Sequence, residues 1–130
     1  MFSITTHQIR ITAIPHYLHT ESRPQDDFYA WSYQITIENL SNLTMQLLNR
    51  HWEVTDGQGI KQVINGAGVV GAQPVLSPRE CFEYTSWTWL PTPSGIMQGH
   101  YEFVTQDLEK IDISIPLFSL DSPIAMQMAN

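Results

Sequence analysis

The sequence predicts an all-β fold, two antiparallel sheets packed face to face, and three observations carry that expectation. Apolar and polar residues alternate strictly through Tyr29, Trp31, Tyr33, Ile35 and Ile37, the period of a half-buried strand. The same alternation returns at Ile111, Ile113, Ile115 and Leu117. Between them Gly, Pro and Asn punctuate short runs, and no helical period of useful length intervenes.

Taken in order, a strand is expected within Gln8–Tyr17, with Ile9, Ile11 and Ala13 on one face, and the polar stretch His19–Asp27 reads as a mobile loop. The strand Tyr29–Glu38 presents its aromatic side to the core and ends at the turn residues Asn39-Leu40-Ser41-Asn42. The segment Thr44–Thr55 carries Leu48, Trp52 and Val54, and Asp56-Gly57-Gln58-Gly59 reads as a hairpin turn returning through Lys61–Ile64. Further strands are expected at Glu80–Leu90, His100–Thr105 and Lys110–Leu117. About seven short strands joined in this way describe an immunoglobulin- or fibronectin type III-like sandwich. In such a fold Trp52 belongs to the core, and Tyr101 resembles the tyrosine whose hydroxyl ties down a loop. One domain is expected over residues 1–120, with Asp121–Asn130 as a loosely attached, flexible tail.

A chain of 130 residues with 42% apolar content is long enough for one packed core. The net charge of −7 repels a phosphate backbone, and the six Lys and Arg residues are scattered singly, which disfavours direct binding to nucleic acid. Cys81 is the single cysteine and forms no internal disulfide, so a reducing compartment is expected. The N-terminus lacks a basic and apolar leader, and no stretch reaches membrane-span length; a soluble cytoplasmic protein without membrane contact is expected.

The run Asn65-Gly66-Ala67-Gly68-Val69-Val70-Gly71 spells G-x-G-x-x-G. As a candidate phosphate loop, Gly66, Gly68 and Gly71 would let backbone N–H groups cradle an anion, with Arg50 as counter-charge and Lys61 and Arg79 as further candidates. The motif binds pyrophosphate strongly when it opens a helix, and no helix signal follows Gly71. The competing reading is a tight turn between strands, with Val69 and Val70 packing inward, and it is favoured.

Other candidates are weaker. His51, between Arg50 and Trp52, reads as a surface residue of a strand. His16 and His19 precede Glu21, Asp26 and Asp27, but without helical geometry or cysteine ligands no metal site is expected. Cys81 has no neighbouring base to make it a nucleophile. No Ser-His-Asp, paired-carboxylate or Cys-His arrangement stands out, so no catalytic residue and no cofactor are assigned. Trp87 and Trp89 share one face of a strand; facing solvent, they would form an interaction patch, and facing inward they would join the core.

The phrases Gln46-Leu47-Leu48-Asn49-Arg50-His51-Trp52, Gly68-Val69-Val70-Gly71-Ala72-Gln73-Pro74 and Met97-Gln98-Gly99-His100-Tyr101 closely resemble the ApaG domain family. So do Tyr84-Thr85-Ser86, Thr92-Pro93 and Ile115-Pro116-Leu117-Phe118, and the similarity runs from about Gln8 to Leu120. The resemblance implies a fibronectin type III-like sandwich, found as a small bacterial protein and as a module in some eukaryotic F-box proteins and a DNA-polymerase-interacting protein. It also implies an association with cobalt and magnesium resistance, pyrophosphate binding proposed from the glycine motif, and protein interaction proposed for the eukaryotic modules. Two departures stand out: Pro78-Arg79-Glu80 where the family usually shows Pro-Gly-Glu, and Trp87-Thr88-Trp89 after Thr85-Ser86. The expected function is a small non-enzymatic interaction or regulatory module with an unidentified protein partner, and homodimers are compatible with its sheet edges. The alternative is a pyrophosphate- or nucleotide-binding protein using the glycine loop for a phosphate-bearing small molecule.

Overall fold

The computed structural model of the chain describes residues 1–128. Its strands are β1 (Phe2–Thr6), β2 (Ile9–Tyr17), β3 (Tyr29–Asn39), β4 (Met45–Asp56), β5 (Lys61–Ala67), β6 (Val75–Leu76), β7 (Cys81–Leu90), β8 (Ser94–Thr105) and β9 (Lys110–Asp121), followed by helix α1 (Pro123–Met128). One sheet runs β1-β2-β3-β7 and the other β5-β4-β8-β9, with β6 also on β4. All neighbours are antiparallel. The expected sandwich is thus the observed one.

Alternation explains the two-layer packing. Ile9, Ile11, Trp31, Ile35 and Ile37 of the first sheet are nearly inaccessible to solvent, and Leu47, Trp52, Phe103 and Phe118 of the second meet them. The Trp31 indole N–H donates to the Asp121 carbonyl at 3.0 Å, so the largest buried side chain keeps its polar atom satisfied.

Several element boundaries differ from the expectation, each for a physical reason. Nine strands replace about seven among the described residues, because β1 and the two-residue β6 are too short to show a period. The strand β8 begins at Ser94, well before His100, because Gly95 and Gly99 continue it. A Cβ at Gly99 would stand 2.0 Å from the His51 carbonyl oxygen, so this glycine marks close strand approach, not a turn. The loop His19–Asp27 contains a 3₁₀ turn at Pro24–Asp26. The boundary expected at residue 120 falls at the end of β9, and the following residues are tied to the sandwich. Ser122 is buried, its N–H donates to the Pro93 carbonyl at 3.1 Å, its hydroxyl accepts from the Ala125 N–H at 3.2 Å, and Ile124 packs on the core. The final two residues of the expected tail lie outside the described residues.

The turn at Pro78-Arg79-Glu80 shows what the first departure does. Arg79 adopts φ 74°, the left-handed region that glycine occupies without strain. Its N–H donates to the Asn39 carbonyl at 2.8 Å and its guanidinium to the Leu40 carbonyl at 2.6 Å, offsetting the backbone cost.

Candidate functional site

The glycine run sits where the edge of β4 changes partner. The strand β5 covers Asn49–Thr55 and β6 covers Met45 and Gln46, while a bulge interrupts β4 between Leu47 and Asn49. The freed Leu48 carbonyl accepts the Gly68 N–H at 2.8 Å and the Gln73 side-chain N–H at 2.9 Å. Val69 and Ala72 exchange two backbone bonds, 2.8 and 2.9 Å, around Val70 (φ 43°) and Gly71 (φ 80°). Positive φ at both central residues defines a two-residue type I′ hairpin turn. The N–H groups of Gly68, Val69 and Ala72 are therefore already engaged by the protein, whereas an anion nest needs them free and convergent. Val69 is buried as expected; Val70 is not, being 61% exposed at the hairpin tip.

Gly66 has a different task. It pairs with Arg50 across the β4–β5 ladder, and a Cβ there would lie 2.6 Å from the guanidinium carbon. The bare backbone leaves room for the guanidinium to lie across the strand. One guanidinium nitrogen donates to the carbonyls of Ala67 at 3.0 Å and Gly68 at 2.9 Å. Of the three candidate cations, only Arg50 reaches the loop: Lys61 pairs with Glu53 at 2.8 Å, and Arg79 is held at its own turn.

Beyond Arg50, between the sheets, lie tyrosines that the sequence reading did not assign to a site. Tyr33 pairs with Ser86 and Ile35 with Tyr84 across β3 and β7. The hydroxyl of Tyr84 hydrogen-bonds that of Tyr101, bridging the sheets. Tyr101 thus ties sheet to sheet, where a loop anchor was expected. Burial pushes Tyr33, Tyr84 and Tyr101 above the ordinary phenol range, and the positive charge of Arg50 opposes that rise in all three. The available signal was polar atoms recurring on the core-facing positions 33, 84 and 86.

The outer face of the second sheet carries His51, stacked on His100 at 4.8 Å with Nδ1 2.6 Å from the Asn65 side-chain oxygen. Glu53 is held below the usual carboxylate range by Lys61 and then by His51. Among the described residues, no group of three or more His, Cys, Asp or Glu side chains gathers to hold a metal ion, His16 and His19 included. Cys81 is exposed at the start of β7.

Trp87 and Trp89 face solvent, 60% and 49% exposed. Phe28 stacks on Trp89 at 5.2 Å, Arg23 caps Phe28 at 5.2 Å, and a groove of about 640 Å³ opens between Trp87 and the segment 18–28. This aromatic face borders the outer edge of β7, an end strand of its sheet with ten residues. No helix among the described residues is long and apolar enough to cross a membrane.

These features define a two-sheet fibronectin-like sandwich with a glycine hairpin at the β4 bulge and an aromatic ridge on the outer face of β7. The ApaG domain model matches residues 19–105, and the chain belongs to that family. It is 53% identical over 123 residues to Protein ApaG of Rhodospirillum centenum and 52% identical over 123 residues to Protein ApaG of Paramagnetospirillum magneticum, covering 95% of each chain in both pairs. A crystal structure of the ApaA protein of Bordetella pertussis superposes with a TM-score of 0.87 at 37% identity, over 92% of this chain and 98% of that one.

Proposed function

We propose that the protein is a non-catalytic interaction module that receives an extended segment of a partner protein along the free edge of β7. The supporting observation is the coincidence of a ten-residue edge strand with two solvent-facing tryptophans on it. An edge strand leaves alternate N–H and C=O groups unpaired, a template for strand addition. Exposed tryptophans flanking that edge supply large contact area, and tryptophan is enriched among residues that dominate binding energy. With a net charge of −7 on this chain, the favoured partner segment is basic, with apolar side chains at alternate positions. In this reading the family's metal-resistance association passes through the partner.

Peptides selected from a random library on the immobilised protein test this directly. They are expected to lose about tenfold or more in affinity against Trp87→Ala or Trp89→Ala. Binding is also expected to slow hydrogen exchange of the amides in Cys81–Leu90. Peptides that bind all three proteins alike, or that protect amides elsewhere, would overturn the reading. So would dimerisation that buries β7 against a second copy.

A further inference from the structure

Beneath the Val69–Ala72 hairpin lies a cavity of about 150 Å³, bounded by Val69, Val70 and Trp52 and lined on its polar side by Tyr33, Arg50, Tyr84 and Ser86. It lies between β3 and β7 of one sheet and β4 of the other, and shares no lining residue with the aromatic groove.

Charge is the first observation. Arg10, Arg23 and Lys61 each have a carboxylate within 4.0 Å; Arg50, Arg79 and Lys110 have none among the described residues, and of these three only Arg50 is half-buried. One of its guanidinium nitrogens is spent on two carbonyls, leaving the rest of a planar, multi-donor cation without a counter-charge. A guanidinium removed from water is stabilised most by an anion that accepts its remaining N–H groups. In a chain with thirteen acidic residues, this is a cation that its own carboxylates leave alone.

Hydroxyl counting is the second. Tyr84 and Tyr101 bring two O–H donors to a single hydrogen bond. Tyr101 is fully buried; when it donates to Tyr84, the Tyr84 proton is left for an acceptor in the cavity. The Tyr33 hydroxyl stands beside Ser86 on the same wall. A phenol is protonated at neutral pH, so the Tyr33 and Tyr84 hydroxyls are both available as donors there.

Size is the third. A cavity of about 150 Å³ holds a molecule of benzene's bulk, which matches one tetrahedral oxyanion. We propose that this cavity binds a single phosphate-sized oxyanion through the Arg50 guanidinium and the Tyr33, Tyr84 and Ser86 hydroxyls. The glycine run then serves the site indirectly, Gly66 by making room for the guanidinium and the hairpin by forming the roof. The site shares β7 with the docking surface but uses the inner side chains Tyr84 and Ser86 of that strand, where docking uses the outer Trp87 and Trp89.

The test is an NMR titration of the isotope-labelled protein with inorganic phosphate and with sulfate, against chloride at equal ionic strength. Saturable shifts of the Val69 and Val70 methyl groups and the Tyr84 and Ser86 amides are expected. Arg50→Gln is expected to weaken binding at least tenfold. Because Arg50 also holds the hairpin, Tyr33→Phe and Ser86→Ala provide the second arm, each expected to weaken binding about threefold or more while the spectrum stays native. Trp87→Ala is expected to leave binding unchanged, so failure of the docking reading and failure of this one are distinguishable. Strictly linear shifts up to tens of millimolar phosphate would overturn the proposal. So would saturable binding indifferent to Arg50→Gln and Tyr33→Phe, or tighter binding of pyrophosphate or ATP with shifts at Val70, Gly71 and Gln73.

Discussion

Replacing the three motif glycines singly by alanine separates turn building from ligand binding. At Gly68 the new Cβ would stand 2.3 Å from the Ala72 carbonyl oxygen, with φ at +64°. The obstacle is backbone, so the hairpin must open and the reciprocal Val69–Ala72 bonds weaken. Two lost hydrogen bonds cost about 2 kcal/mol, and a left-handed alanine adds about 1 kcal/mol. At Gly71 nothing lies within 4 Å of the added carbon, leaving only the left-handed term of about 1 kcal/mol. At Gly66 the obstacle is the mobile end of Arg50, 2.6 Å away. Displacing it forfeits two hydrogen bonds, offset in part by the 0.5–1 kcal/mol that alanine gains over glycine within a strand, for a net loss of about 1 kcal/mol. Urea unfolding followed by tryptophan fluorescence should therefore rank Gly68→Ala near 3 kcal/mol and the other two near 1, the first lowering Tm by roughly 10 °C. Equal losses at the three positions, or a nearly neutral Gly68→Ala, would refute the account of the hairpin.

Two further outcomes follow from the same region. Val70→Asn should raise the unfolding free energy by about 1 kcal/mol, seen as a higher urea midpoint with an unchanged slope, because Asn-Gly suits a type I′ turn and valine does not; a lower midpoint would contradict the turn assignment. Tyr33, Tyr84 and Tyr101 titrate above the ordinary phenol value of 10 when folded, so the folded chain holds protons that the unfolded chain releases. The stability they confer is complete below about pH 10 and drains away as pH rises through their folded values, so absorbance near 295 nm should show these tyrosines ionising only with unfolding. Reversible ionisation of all five tyrosines near pH 10 in a native protein would contradict this.

The fold was legible where one face of a strand is buried and the other wet. Tyr29–Asn39 alternates because its inner side chains fill the core and its outer ones meet solvent, so period and structure coincide. The strand β1 gave no such signal: Ile4 lies at a sheet margin, 41% exposed, and its neighbours are Ser and Thr. Gly99 misled because a glycine inside a strand and a glycine in a turn look alike until the His51 carbonyl is seen against it. At the candidate site, the sequence suggested the turn, Arg50 and the aromatic pair, but not the partners across the sandwich. Tyr33, Tyr84 and Tyr101 come from three strands in two sheets, and their convergence depends on registers that no local pattern contains. The exposure of Trp87 and Trp89 was equally non-local, because alternation shows that they share a face without showing which face is covered.

The strands β1 and β9 lie against each other across the sandwich: Phe2 meets Phe118 at 6.1 Å, and the Ser114 N–H reaches the Thr6 hydroxyl at 3.4 Å. The core therefore closes through residues separated by more than a hundred positions, a large loop-closure cost at the final step. During synthesis the first sheet waits, with its Ile9 and Ile11 face uncovered, until β9 has left the ribosome. Folding should be slow for the chain's size and completed late, and loss of the last strand should uncover the β1 and β2 side of the core.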